Sequence, residues 1–455
     1  MKKRNIGIFV LSLSLLTSCG SVEQISSIEK SEETSVIEHD EQTAKLLKNP
    51  NIKYNSFNNS KLTSDYRAFC VKLSTFSADL AGKFFQNEEI SLDQNISISP
   101  LSIYNALALA TECANGTTRD EIVNAMNMSY QDIKTHTKTL FEQSCKQFEQ
   151  AGELVSKELI TNSLWFEKTL PLKQNCVDSL ADNYYCYSHA VDFKNNANEV
   201  IEVVSDFIKK ATNNLIDHRG EYDRQTLMVL LNTLYIKDIW LEGGIDLSET
   251  PKEIAFTNAN KEVVNKKLLN STYVRGRTVK FDDFSTFYSK TLNGYQLKFM
   301  LPRDGKLAKD ILTKENIDKV NKLTDYNEKD EEKKLLYFTQ CQFPQYESSC
   351  DLELSNFFQE KFNIQSLFSA ADFSNISDAD MVCSSVIHKT KLKVEKKGIE
   401  GAAITEMVMK ETAIFEGENG YTNVYETLTL DRDFAYIITD SMDVILFEGV
   451  VNNIK

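Results

Sequence analysis

The side chains that most often do chemistry are present, but they are not arranged for catalysis. Five histidines, His39, His136, His189, His218 and His388, are scattered along the chain. None belongs to an H-E-x-x-H pair, which would put two imidazoles on one helix face for zinc. No G-x-S-x-G elbow, phosphate-binding P-loop or G-x-G-x-x-G turn occurs. Nine cysteines are present without a C-x-x-C, so zinc or thioredoxin-like chemistry is not expected. After Cys19 many lie among apolar residues, as in Ala68-Phe69-Cys70 and Met381-Val382-Cys383, and read as buried thiols. Cys341 and Cys350 are the close pair to test for a disulfide. The reading is no enzyme, no cofactor and no metal.

One segment carries a different kind of signal. Residues 396 to about 425 lie between two strand-like stretches yet form neither a short turn nor a regular helix, and a loop this long inside a domain is usually functional. From Ile399 the chain alternates. One face carries Ile399, Gly401, Ala403, Thr405, Met407 and Met409; the other carries Glu400, Ala402, Ile404, Glu406, Val408 and Lys410. Every charge falls on the second face, which is the period-two pattern of a strand with one buried side. The small residues Gly401, Ala402 and Ala403 suit a segment that slides into a crowded place. The pattern alone fits equally an edge strand followed by a long hairpin.

Such a segment needs a large scaffold. From Asp65 apolar periodicity continues to the C-terminus with no second linker, so residues 65–455 read as one mixed domain. Phe69, Leu73, Phe76, Leu80 and Phe84 recur at helical spacing. Ser99-Pro100 reads as a helix start, with Ser at the N-cap and Pro at the first helical position. Asn115-Gly116 reads as its end. Residues 197–216 read as an amphipathic helix, and 159–166, 227–236, 392–395, 434–439 and 444–451 as strands.

The N-terminus is read separately. Lys2, Lys3 and Arg4 precede an apolar run from Ile6 to Leu16. That run is too short for a bilayer, which takes roughly 20 residues, and fits a signal peptide. Leu16-Thr17-Ser18-Cys19 resembles the bacterial lipobox, in which the Cys thiol is acylated. The expectation is a lipoprotein signal peptide over 1–18, a lipid at Cys19 and a flexible, Ser- and Glu-rich tether over 19–64. The protein is then exported and anchored at a bacterial membrane. Gly20 is not the Asp of inner-membrane retention, which points to the outer membrane or cell surface. The net charge of −15 argues against nucleic acid as a partner, because phosphate binding needs a basic patch.

Gly398-Ile399-Glu400-Gly401-Ala402-Ala403-Ile404-Thr405 resembles the hinge of the serpins, Gly-Thr-Glu-Ala-Ala-Ala-x-Thr. The likeness extends across residues 65–455. Asn95 with Ser99-Pro100-Leu101-Ser102-Ile103 is similar to a serpin motif, as is Gly116-Thr117-Thr118-Arg119-Asp120-Glu121-Ile122. Asn232-Thr233-Leu234-Tyr235 with Lys237 and Trp240 follows, then Met300-Leu301-Pro302 with Gly305-Lys306-Leu307. Ala371-Asp372-Phe373-Ser374 and Phe447-Glu448-Gly449-Val450-Val451-Asn452 complete the family's order. The resemblance implies an α+β serpin fold of three β-sheets and about nine helices with an exposed reactive-centre loop. It implies that Ser99, Ser102, Asn232 and His388 form a hydrogen-bonded shutter under the main sheet, with His388 a satisfied core histidine. Trp240 should sit near the point where the loop enters the sheet.

The resemblance also implies a mechanism. A serine protease, or a papain-like cysteine protease, attacks the loop and forms an acyl-enzyme. The cut loop inserts into the main sheet as a new strand and carries the protease with it, driven by a metastable native state. About 14 inserted residues at roughly 3.3 Å each span about 45 Å. Family spacing places the reactive bond at Thr412–Ala413, suited to an elastase-like protease. A slipped register would offer Lys410 to a trypsin-like protease or Glu411 to an acid-specific one. The protein is expected to act as a monomer. The alternative is a non-inhibitory serpin that serves as a binding or scaffold protein. Three positions depart from the pattern: Ile399 replaces a small residue, Gly401 an Ala and Lys396 a Glu. That Glu pairs with a Lys in a Phe/Leu-Pro-Lys motif, which here reads Phe343-Pro344-Gln345. Both partners differ together, so Gln345 is expected to accept a hydrogen bond from Lys396.

Overall fold

The computed structural model describes residues 43–55, 62–86, 90–150, 153–240, 246–324, 326–400 and 420–455. Along the chain, strand β1 (Ala44–Lys48) precedes helix α1 (Ser64–Phe85), β2 (Ile96–Ile98) and α2 (Pro100–Cys113). Then come α3 (Gly116–Met126), α4 (Tyr130–Ser144), β3 (Lys146–Gln150) and β4 (Glu153–Glu167). They are followed by α5 (Gln174–Tyr184), β5 (Cys186–Val191), α6 (Phe193–Ala211) and β6 (Met228–Ile239). The second half holds β7 (Phe284–Lys290), β8 (Gln296–Pro302), α7 (Lys314–Asn321), β9 (Leu335–Phe343) and β10 (Tyr346–Glu353). It ends with β11 (Ile387–Val394), β12 (Gly398–Ile399), β13 (Thr422–Thr429), β14 (Phe434–Thr439) and β15 (Ile445–Val451). Shorter helices and strands connect these.

The helices begin where polar side chains can take up their free N–H groups. Thr63 accepts from Tyr66 N at the start of α1 and Ser99 accepts from Ser102 N at the start of α2. Tyr66, Phe69, Leu73, Phe76, Leu80 and Phe84 form the buried stripe of α1, each large apolar side chain adding roughly 1.5–3 kcal/mol. Nearly every residue of α2 is buried, so this helix lies inside the molecule. Asn115-Gly116, read as the end of that helix, also opens the next: α2 stops at Cys113 and α3 begins at Gly116. The helix expected over 197–216 begins where it was read, after a kink at Asn196 (φ −131°, ψ 38°) that separates it from a short first turn capped by Asp192, and it ends earlier, at Ala211.

Among the described residues three large sheets and a two-stranded ribbon form. The main sheet has eight strands in the order β1-β5-β4-β6-β12-β11-β10, with β3 paired to β4. The second, six-stranded sheet pairs β13 with β9 in parallel, Leu335 opposite Thr422 through Gln342 opposite Thr429. The third, also six-stranded, runs β7-β8-β14-β15-β2 after one short strand. Strands β14 and β15 are buried along their whole length. Gly449 is required there, because a Cβ on it would stand 2.4 Å from Ile96 O.

The tether expected over 19–64 is corrected at its C-terminal end. Ala44–Lys48 is a strand that pairs antiparallel with β5, Leu46 opposite His189, and Ile52 is buried. An open sheet edge offers unpaired N–H and C=O groups to any extended chain, which gives this polar stretch an order its composition does not signal. Cys19 lies outside the described residues.

Candidate functional site

The site is the middle of the main sheet. Strands β6 and β11 do not pair with each other; the two residues of β12 stand between them. Gly398 pairs with Ile239, while Ile399 pairs with Asp238 on one side and Val394 on the other. Beside this point a small cleft of about 70 Å³ is lined by both strands, among them Leu231, Asn232, Thr233, Lys389, Thr390 and Lys391. The upstream half of β6, Met228–Asn232, is only half-buried, as expected for strand residues without a neighbour on one edge.

The hinge is held by close backbone approach. A Cβ at Gly398 would stand 2.1 Å from Asp238 O, so only glycine fits between the strands. Ile399 is buried in the core with the other large apolar residues, which places its side chain on the inner face. Glu400 has a φ of 97°, a conformation side-chain-bearing residues seldom adopt. Its carboxyl is buried and accepts from Tyr235 Oη at 2.6 Å. Burial pushes this carboxyl above the ordinary Glu value, against the pull of Tyr235, Lys237, Asn213 and Lys393.

Trp240 closes the end of β6. Its ring is buried against Phe343 at 5.6 Å, and its Nε1 donates to Glu395 O at 2.8 Å. Gln345 Oε1 accepts from Lys396 at 3.1 Å, but from the backbone N rather than the ammonium. Asp238, buried under the hinge, accepts from Asn293 N and Asn293 Nδ2, both at 2.9 Å, and from Ser156 Oγ. Burial raises the Asp238 carboxyl against these donors. The sequence reading missed Tyr235 as a hinge partner, and Asp238 and Asn293 altogether. Asp238 sits two residues before Trp240, which was the signal available.

Under the sheet, Ser99 N donates to His388 Nε2 at 3.1 Å and Ser99 Oγ donates to Leu446 O at 2.8 Å. Ser102 N donates to Ser99 Oγ at 3.2 Å. Burial pulls the His388 imidazole down to about 4, so it is neutral and accepts at Nε2. Ser99, Ser102 and His388 therefore cluster. Asn232 does not join their hydrogen bonds: its Nδ2 donates to Asn162 Oδ1 at 2.7 Å across the β4–β6 pair. It lines the same cleft as Ser99 and Ser102. Gly401, Ala402, Ala403, Thr405, Lys410, Glu411, Thr412 and Ala413 lie outside the described residues.

A family model described as serpin (serine protease inhibitor) matches residues 72–454. The chain belongs to the serpin family. Serpins are in general protease inhibitors. The chain is 26% identical over 379 residues to Serpin-ZXA of Oryza sativa subsp. japonica, covering 79% of this chain and 90% of that protein. It is 24% identical over 421 residues to alpha-1-antichymotrypsin of Pongo abelii, covering 90% and 94%. An uncharacterized serpin-like protein of Methanosarcina acetivorans is 24% identical, covering 99% of this serpin and 98% of its own length. Among solved structures, the thermophilic serpin tengpin in its native state superposes with a TM-score of 0.68 at 22% identity, covering 89% of this chain and 98% of tengpin. Human thyroxine-binding globulin superposes with a TM-score of 0.68 at 20% identity, covering 86% and 99%. Both establish the serpin fold. No helix among the described residues is long and apolar enough to cross a membrane.

Proposed function

We propose that this serpin inhibits a serine protease by the loop-insertion trap, as a monomer exported by its signal peptide and tethered through a lipid on Cys19. The observation that supports the trap is the parting of β6 and β11, with Gly398 and Ile399 alone among the described residues paired between them. A loop cut after Thr412 would continue this seated segment, its alternating face of Ile399, Gly401, Ala403 and Thr405 turned to the core. That face carries no charge, so insertion would leave no unpaired ion buried.

The test is incubation with elastase-, trypsin- and subtilisin-like proteases, followed by denaturing electrophoresis and mass analysis of the released C-terminal peptide. A denaturant-stable complex with at least one, and a peptide beginning at Ala413, is the expected result. Loop cleavage without a complex would sink the inhibitor reading and favour a binding serpin.

A further inference from the structure

The register of the main sheet fixes which of its two ends each segment reaches. At the hinge end, Gly398 and Ile399 pair with Ile239 and Asp238 of β6, and Ser156 of β4 donates to Asp238. At the far end, Met228 of β6 stands opposite Phe166 of β4, Phe166 opposite Ala190 of β5, and Ala190 opposite Lys45 of β1. One row thus crosses all four strands. Strand β1 runs antiparallel to β5 and starts at Ala44 opposite Val191, so the chain comes to β1 from the far end. It is fixed there: Ala44 is buried in one cluster with Trp165, Phe193 and Phe207, and Lys48 Nζ pairs with Asp178 of α5 at 2.9 Å.

An inserted loop would follow the same ladder. The pairing of Ile399 with Asp238, continued residue against residue, brings Met409 opposite Met228. Thr412 would then lie about 10 Å past the row, at roughly 3.3 Å per residue. Its strand would be separated from β1 by β6, β4 and β5, which puts the two about 19 Å apart at about 4.8 Å per spacing. A protease domain of about 230 residues has a radius of gyration of about 17 Å and is about 45 Å across. A body of that size joined to Thr412 covers the start of β1.

We propose that the trap delivers its protease to the end of the main sheet where the tether joins it, so that the captured protease sits between the serpin body and the anchoring membrane. The placement beside β1 rests on the loop-insertion reading, and the membrane consequence rests also on the lipid at Cys19. Before cleavage the loop departs from Glu400, at the hinge end. After insertion the protease is on the anchored side, where the tether must leave room for it. Residues 20–43 number 24 and span at most about 85 Å when fully extended, which clears the protease. A much shorter connection does not.

The test uses the full chain, expressed with its signal peptide, carrying a photo-crosslinker at one of two exposed positions: Lys45→p-benzoylphenylalanine at the far end, or Glu149→p-benzoylphenylalanine on β3 at the hinge end. Its complex with whichever elastase-, trypsin- or subtilisin-like protease it traps is irradiated, then treated with mild alkali to hydrolyse the acyl ester. The protease should stay linked in the Lys45 variant and be released from the Glu149 variant. Release from the first, or retention by the second, would overturn the placement. Absence of a denaturant-stable complex with every protease would instead bring down the trap reading, and the placement with it. A second protein lacks residues 22–41, which keeps β1 intact and leaves at most about 14 Å of tether. On phosphatidylethanolamine–phosphatidylglycerol vesicles it should yield roughly tenfold less complex than the full chain, because its linker cannot span the captured protease, and in detergent the two should match. Equal yields on vesicles would overturn the membrane consequence. A full chain that does not float with the vesicles would remove the anchor reading and that consequence together, while the crosslinks still decide the placement.

Discussion

At the scale of single residues, the hinge rests on contacts that tolerate little change. Gly398→Ala places a methyl group 2.1 Å from Asp238 O, and backbone on both sides prevents relaxation. The expected outcome is expulsion of Ile399 from between β6 and β11, at a cost of about 1–3 kcal/mol. Amide exchange at Ile399 and Glu400 would report it, rising well above wild type. Unchanged protection there would refute the contact. Gln345→Lys removes the acceptor of Lys396 N and brings a second ammonium beside Lys396. It is expected to lower the unfolding midpoint by a few degrees, corresponding to about 1 kcal/mol. The sequence foresaw Gln345 and Lys396 as partners; it could not foresee that the backbone N–H is the donor, since that depends on how the chain turns after β11.

At the scale of elements, β1 is the part least evident from sequence. Its composition resembles the polar stretch before it, and its order comes from pairing with the edge of β5. A chain beginning after Ile52 should unmask that edge. The expected result is a lower unfolding midpoint and concentration-dependent association on light scattering; a truncated protein that matches the full chain in both would show that β1 adds nothing. The capped helices α1 and α2 were legible, because caps and apolar stripes are local signals. The end of α6 was overshot, because Leu215 and Ile216 continue the apolar pattern past its last helical residue, Ala211.

At the scale of the whole molecule, buried titratable groups set opposing pH dependences. Burial pushes Glu158 up to about 7, although Tyr295 Oη donates to it at 2.8 Å. Its folded value lies above the unfolded one, so its contribution is complete below about pH 4.3 and is lost as pH rises through 7. His388 is the reverse. Its folded value, about 4, lies below the unfolded value of about 6.5, so its contribution is complete above 6.5 and is lost as pH falls toward 4. Burial raises Asp440 and Glu448 as well, adding to the direction of Glu158. Glu158→Gln should therefore remove stability that wild type gains on acidification from pH 7 to 5, by roughly 1.4 kcal/mol per pH unit at most. His388→Gln should make that gain steeper. Apparent unfolding midpoints at one scan rate across this range provide the check, and parallel profiles for all three proteins would refute the assignment.

The sequence by itself determined the helices that carry their own caps, the strands that alternate, and the order of motifs that places the hinge at Gly398. These depend on residues a few positions apart. Only the tertiary structure decided what meets across long separations: Asp238 with Asn293, 55 residues on, Asn232 with Asn162 rather than with His388, and β1 with β5. Hydrogen-bond partners and strand neighbours are properties of surfaces brought together by packing, and no local pattern in the chain encodes which surfaces those will be.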